Sequence, residues 1–267
     1  MTTSTSTSTS PSPYKVLFIL GGGPRIGHSV AKRFLQDGYK VAIGRRHPPS
    51  DKDTSDSHVE LEPELKKVLF VTVDVSSRES IHSAFSQVEA KLGVPNVVVY
   101  NAADLTFPAN IDDPFAISPA DFEQDLAVNA SGGYSALHHA SRGFLRLKKE
   151  KKGSDSIPTL PCVFIATGNV TPFQPDPMAT TLGSGKAALA YLVQVGMKAY
   201  EGNGIRFYFA SQVTGEDKPV PYQEVSGLAH GEVYLNLVNR DLARNVWHVK
   251  FTANKDGTKA RVEWETE

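Results

Sequence analysis

The sequence predicts an α/β fold, a single domain built on a doubly wound parallel sheet of about seven strands with helices on both faces. Three observations carry that expectation. From Tyr14 onward, short continuous apolar runs alternate with amphipathic stretches of helical length. An unbroken apolar run is how a strand buried on both faces reads. Strands joined by helices of that length require crossovers, which set parallel strands side by side. Last, no internal repeat or composition shift divides the chain after residue 14, so one domain over 14–267 is expected. Residues 1–13, MTTSTSTSTSPSP, are low-complexity and polar and are expected to form a disordered tail.

The elements follow in order. YKVLFIL reads as the first strand, and IGHSVAKRFLQ as a helix with Ile26, Val30, Phe34 and Leu35 on one face. Gly38 stops it, and YKVAIG is the second strand. Residues 47–67 are polar and proline-containing, an expected exposed loop with a helical turn near Glu64. VLFVTVDV is the third strand; Ser76 and Glu79 have the spacing of a capping box for a helix carrying Ile81, Phe85, Val88 and Leu92. PNVVVYNAA is the fourth strand. Ser118-Pro119 opens a helix with Phe122, Leu126 and Asn129, because proline suits a first helical position. KKEKKGSDS, 148–156, reads as a charged loop. PCVFIATGN is the fifth strand, followed by a helix over about 183–200 with Leu189, Val193 and Met197 inward. GIRFYFAS and NVWHVKFTA are the sixth and seventh strands, with HGEVYLNLVNRD a helix between them.

Composition narrows the function classes. Of 267 residues, 40% are hydrophobic, enough for a sizeable core, and the net charge is −1. That balance offers no basic excess for nucleic acid or an anionic membrane surface. No apolar run approaches the ~20 residues of a membrane span. The start carries neither a secretory nor a transit signature, so a cytoplasmic location is expected. The single cysteine, Cys162, excludes an intrachain disulfide and lies in an apolar run, as a small core residue does. His138, His139 and His230 have no metal-ligand spacing, and no metal site is expected.

The first strand runs into GGGPRIG, residues 21–27, and then a helix. Glycines let backbone N–H groups approach a pyrophosphate at a helix N-terminus, so Gly21, Gly23, Arg25, Ile26 and Gly27 are candidate dinucleotide-binding residues. An acid at the end of the second strand would bind the adenosine ribose hydroxyls. Here Gly44 leaves space, and Arg45 and Arg46 offer charge to a 2′-phosphate, favouring NADP(H).

These features resemble the short-chain dehydrogenase/reductase family, over nearly the whole chain from Tyr14. Its glycine motif T-G-x-x-x-G-x-G becomes L-G-G-G-P-R-I-G at 20–27, with Leu20 for the threonine and Arg25 for the middle glycine. Asp74-Val75 matches the pair that contacts adenine, and Tyr100-Asn101-Ala102-Ala103 stands where the family has N-N-A-G. Asn129 matches the active-site asparagine. TGN followed by TLGSGKAA looks like a group of fungal members with mostly unassigned substrates. The resemblance implies a Rossmann-type NADP(H)-dependent oxidoreductase acting on a small carbonyl, imine or enone, and a homodimer or homotetramer.

The family pairs a proton-donating tyrosine with a lysine four residues on. Lys186 matches the lysine, which holds the nicotinamide ribose, but the tyrosine position is Leu182. The substrate-orienting serine corresponds to Asn169 without a gap, or to Thr167 if the loop is shortened by two residues. An aliphatic hydroxyl such as Thr181 or Ser184 is several pKa units weaker an acid than a tyrosine at about 10. Three readings follow: a reductase whose proton comes from Lys186, Thr167 or a water held by Asn129; a reductase of an iminium or activated alkene that forms no alkoxide; or a non-redox NADP(H)-binding protein, regulatory or cyclase-like. Tyr191 reads as core, and Tyr134 and Tyr208 stay open as donors. Ser211 to Thr214 replace the family's Pro-Gly turn, and about 211–230 is expected to be a mobile substrate loop.

Overall fold

The computed structural model describes residues 15–47, 63–153, 160–240, 245–254 and 256–266. The expected tail at 1–13 and most of the 47–67 loop lie outside them. One sheet has the order β3-β2-β1-β4-β5-β6-β7-β8, with β1 (Val16–Leu20), β2 (Lys40–Arg45), β3 (Leu69–Thr72), β4 (Val97–Tyr100), β5 (Cys162–Gly168), β6 (Ile205–Gln212), β7 (Val246–Ala253) and β8 (Lys259–Thr266). β1 to β7 are parallel to their neighbours, and β8 runs antiparallel along β7. This eighth strand goes beyond the seven expected. KARVEWET mixes polar and apolar residues, the pattern of a strand outside the fully buried middle of a sheet.

Helices α1 (Ile26–Gln36) and α6 (Gly227–Asn239) cover one face of the sheet. Helices α2 (Arg78–Leu92), α4 (Gly133–Lys152) and α5 (Thr180–Tyr200) cover the other, with α3 (Pro119–Leu126) leading into α4. The pleat separates the two cores: Val16, Phe18 and Leu20 of β1 enter one, Leu17 and Ile19 the other. The inward helix residues Val30, Phe34, Ile81, Phe85, Val88, Leu189, Val193 and Met197 are all buried, as is Cys162. No helix among the described residues is long and apolar enough to cross a membrane.

Three local expectations change. The α2 cap is Ser77, which accepts from the Ser80 N–H at 3.2 Å. Ser76 is taken up instead by the Asp74 carboxylate, which receives its N–H at 3.0 Å and its hydroxyl at 2.7 Å. Residues 148–152 continue α4 rather than forming a loop. Lysine and glutamate are good helix formers, and lysines in a last turn suit the negative end of the helix dipole. The third concerns α3 and α4: a π-helical stretch, Ala127–Gly132, joins them into one irregular rod.

α6 lies against the start of α1, and its glycines set the spacing. A Cβ at Gly227 would overlap the Arg25 carbonyl oxygen, whereas one at Gly23 would meet nothing within 4 Å. Gly227→Ala should therefore cost about 1–3 kcal/mol, lowering Tm by roughly 2–10 °C in a thermal melt, while Gly23→Ala melts close to the wild type.

Candidate active site

The strand order reverses between β1 and β4, and in open α/β sheets such a switch point leaves a crevice at the strands' carboxyl ends. The glycine turn follows β1 directly at this point. Gly21 has φ +91°, and a Cβ there would overlap the Ala102 backbone. The N–H groups of Gly21 and Gly22 both donate to Gly44 O at 3.0 Å, tying the turn to β2. A Cβ on Gly27 would lie 2.8 Å from Gly22 Cα, so α1 starts hard against the turn. Arg25 is the N-cap of α1; no side chain caps this end and no acid stands in its first turn. By contrast, Ser77, Ser118 and Ser226 cap α2, α3 and α6. The positive end of α1 is left for an anion. Ile26 is half-buried and packs on the core under α1 and α6.

Arg45 closes β2 and is half-buried; Arg46 follows it and is exposed. Hydrogen bonds from Ser76, with a smaller contribution from the Arg46 charge, hold the Asp74 carboxyl below its ordinary range. Val75 is half-buried beside it. The expectation that Gly44 leaves space is corrected. Its missing Cβ would lie 2.6 Å from Val73 Cγ1 and 3.3 Å from the Phe18 ring, so the position is packed shut.

Four residues from three layers meet across the end of β5. Asn101 donates from Nδ2 to Gly21 O at 2.7 Å and accepts at Oδ1 from Thr167 Oγ1 at 2.8 Å. Tyr234 of α6 donates to the same threonine oxygen at 2.8 Å. On the far face, Lys186 of α5 donates from Nζ to the Thr167 carbonyl at 2.7 Å. The hydroxyl of Thr167 is thus committed twice, on the α6 side of the sheet. Burial holds the Tyr234 phenol far above its usual range, so it stays a neutral donor. Lys186 is 3% exposed, and burial brings its ammonium down to about 8.

Asn129 sits fully buried in the π-helical stretch. Its carboxamide clamps one residue of the loop after β4, donating to Asp104 O at 2.7 Å and accepting the Asp104 N–H at 2.9 Å. Gly185 permits this: a Cβ there would overlap Asn129 Cβ. Leu182, one turn before Lys186, is half-buried. Thr181 is buried and accepts the Thr106 N–H at 3.3 Å, an N–H that also reaches the buried Asp125 carboxylate at 2.7 Å. Asn169 folds its side-chain oxygen onto Thr171, accepting the hydroxyl at 2.7 Å. Its carbonyl receives Ser211 Oγ at 3.2 Å, and Ser211 Oγ lies 3.1 Å from His248 Nε2.

Tyr191 was expected in the core but is 67% exposed, because the turn of α5 sends Leu189, Ala190 and Val193 inward. Tyr134 is also exposed and Tyr208 is buried under α6. The segment expected as a mobile loop is tied down by hydrogen bonds at several points. Gln212 donates to Glu224 O at 3.2 Å and accepts the Ser226 N–H at 2.8 Å. Gln174 holds Asp217 O at 2.7 Å, and Val213 bridges to Pro219. Tyr234, Asp125 and the Ser211–His248 pair carry no sequence signal, since each finds its partner through tertiary packing.

A glycine turn at a strand-order switch, an uncapped helix end above it and a buried lysine beside it define a dinucleotide-binding α/β enzyme. A family model described as short chain dehydrogenase matches residues 15–211. A short chain dehydrogenase/reductase, dmxR12, from Cryptosporiopsis sp. (strain 8999) is 31% identical over 261 residues, covering 90% of this chain and 96% of that protein. L-2,3-butanediol dehydrogenase from Corynebacterium glutamicum is 27% identical over 130 residues, 49% of this chain and 48% of that one. Two solved structures share the fold. A Brucella melitensis 3-ketoacyl-(acyl-carrier-protein) reductase complexed with NADH has TM-score 0.69 at 18% identity, with coverage of 90% and 98%. A metagenomic short-chain oxidoreductase in complex with NADP has TM-score 0.70 at 15% identity, with coverage of 90% and 97%. The chain belongs to the short-chain dehydrogenase/reductase family, and its activity is that of an NAD(P)(H)-dependent oxidoreductase on small organic substrates.

Removing the Thr167 hydroxyl strands the buried Tyr234 hydroxyl and the half-buried Asn101 Oδ1. Thr167→Val should cost about 2 kcal/mol or more in urea unfolding, and Thr167→Ser much less.

Proposed function

We propose that this chain is an NADP(H)-dependent oxidoreductase for a small carbonyl, imine or enone, with Lys186 serving where the family uses tyrosine. It is an atypical, fungal-type member of its family, with leucine at position 182. The carrying observation is Lys186: a buried ammonium whose hydrogen-bond partner is a neutral carbonyl at 2.7 Å, one turn beyond Leu182.

The residues present fit a dinucleotide. The backbone at Gly21, Gly23, Ile26 and Gly27 forms the cradle, and no acidic residue stands in the first turn of α1. Arg25, Arg45 and Arg46 supply positive charge for phosphates, with Arg45 and Arg46 at the place that meets a 2′-phosphate. Asp74 and Val75 flank the adenine position, and Asn101 with Ala102 walls the inner end. When bound, NADPH supplies the hydride.

The chain's own residues manage the proton. A lysine near pKa 8 is a stronger acid than an ordinary tyrosine at about 10, so the ammonium can protonate an oxygen or nitrogen as charge develops there. Thr167 aims Lys186 through its carbonyl, and Tyr234 and Asn101 hold Thr167. Asn129 holds the loop after β4 through Asp104 and so shapes the pocket wall. Leu182 gives that wall an aliphatic surface that suits an apolar substrate. The segment 211–230 forms its outer edge.

Fluorescence titration separates the cofactors. Arg45→Ala with Arg46→Ala should weaken NADPH binding about tenfold or more and NADH by less than about twofold, since each lost phosphate contact is charge-assisted. The acid role gives a pH profile. The ammonium is present below about pH 8 and lost above it, so reduction should be level at neutral pH and fall about tenfold per unit beyond 8. In Lys186→Arg, which does not titrate, that fall should vanish. Leu182→Tyr should raise turnover of ketones if a phenol can take up the role. An NADPH-saturated wild type that turns over none of a panel of ketones, imines and enones would overturn this substrate class.

A further inference from the structure

Arg25 stands at the mouth of the glycine turn yet is engaged away from it. Its guanidinium lies 3.9 Å from the centroid of the Tyr222 ring and donates from Nη1 to the Tyr222 carbonyl. Tyr222 is 74% exposed and belongs to the strap between β6 and α6, residues 213–226. The strap is anchored at its two ends, by Gln174 and Lys250 on Asp217 and by Gln212 on Glu224 and Ser226. Ser226 also donates to Gly257 O. Between these anchors, Tyr222 rests on Arg25.

We propose that the Arg25–Tyr222 contact is a latch that holds the strap over the glycine turn, and that a dinucleotide phosphate opens it by taking the guanidinium. The idea rests on the dinucleotide reading of the turn. Arg25 sits at the positive end of α1, where neither a cap nor an acid offsets its charge. Among the described residues its partners are an aromatic face and a carbonyl, both neutral. An exposed cation–π contact is among the weaker interactions of a guanidinium, and a charge-assisted bond to phosphate is stronger. The exchange therefore runs toward phosphate. The strap then loses its central support while its end anchors keep it attached, which frees the crevice for substrate after cofactor has bound.

Two readouts test this, neither requiring turnover. The first is limited proteolysis with a glutamate-specific protease at Glu224, which is exposed and adjoins the latch. Without cofactor, Tyr222→Ala should be cut at least about threefold faster than the wild type, and Tyr222→Phe, which keeps the ring, should match the wild type. NADPH should accelerate cutting of the wild type and leave Tyr222→Ala unchanged. The second is NADPH titration by fluorescence, where Tyr222→Ala should bind about two- to fivefold more tightly because the competing ring contact is gone. Equal cutting of Tyr222→Ala and wild type without cofactor would overturn the latch whether or not NADPH binds. Slower cutting of the wild type on adding NADPH would also overturn it, since the strap would then be closing on the cofactor. A wild type that binds no NADPH overturns the dinucleotide reading itself, and the phosphate-driven opening with it.

Discussion

Asn101 is the residue on which the crevice depends. Its amide nitrogen holds the glycine turn through Gly21 O, and its amide oxygen holds β5 through Thr167. Its own N–H donates to Leu20 O at 2.8 Å. One side chain thus reaches from the turn after β1 to the end of β5, across the switch point between β1 and β4 where the strand order reverses. A crevice is useful only if its walls stay apart at a set distance. Here that distance is set by two short, partly buried hydrogen bonds from one carboxamide as well as by packing, which is indifferent to small slips.

The same economy of polar groups decides what Lys186 can do. A buried ammonium is costly unless it is paired, and this one meets a carbonyl instead of a carboxylate. Burial lowers its affinity for the proton, and the neutral partner does little to restore it. Under the proposed function, the lysine that matches the family's tyrosine-assisting residue exchanges the proton itself. Thr167, by contrast, spends its hydroxyl on Asn101 and Tyr234, and Asn129 spends its carboxamide on Asp104. Saturated groups make good supports and poor proton donors.

The strap and the glycine turn are coupled by the close seat of α6. Gly227 lets that helix touch the Arg25 carbonyl, and Ser226 starts the helix where the strap ends. Whatever moves Arg25 therefore acts on the strap and on the first turn of α6 together.

Much of this was legible in the chain itself. The strands, the helices on each face, the glycine turn and the place of Lys186 follow from local periodicity and spacing, which are set by near neighbours in sequence. Leu182, where the family resemblance expects a tyrosine, is likewise read at one position. β8 escaped because its mixed pattern lacks the unbroken apolar run of its buried neighbours. Tyr191 was misplaced because an apolar helix leaves the direction of each side chain to the packing around it. Only the tertiary structure decided that Gly44 is packed shut, that Thr167 turns its hydroxyl toward Tyr234 some 67 residues away, and that Arg25 rests on Tyr222. Those choices depend on which polar groups remain unpaired once the layers close, and no stretch of sequence contains both partners.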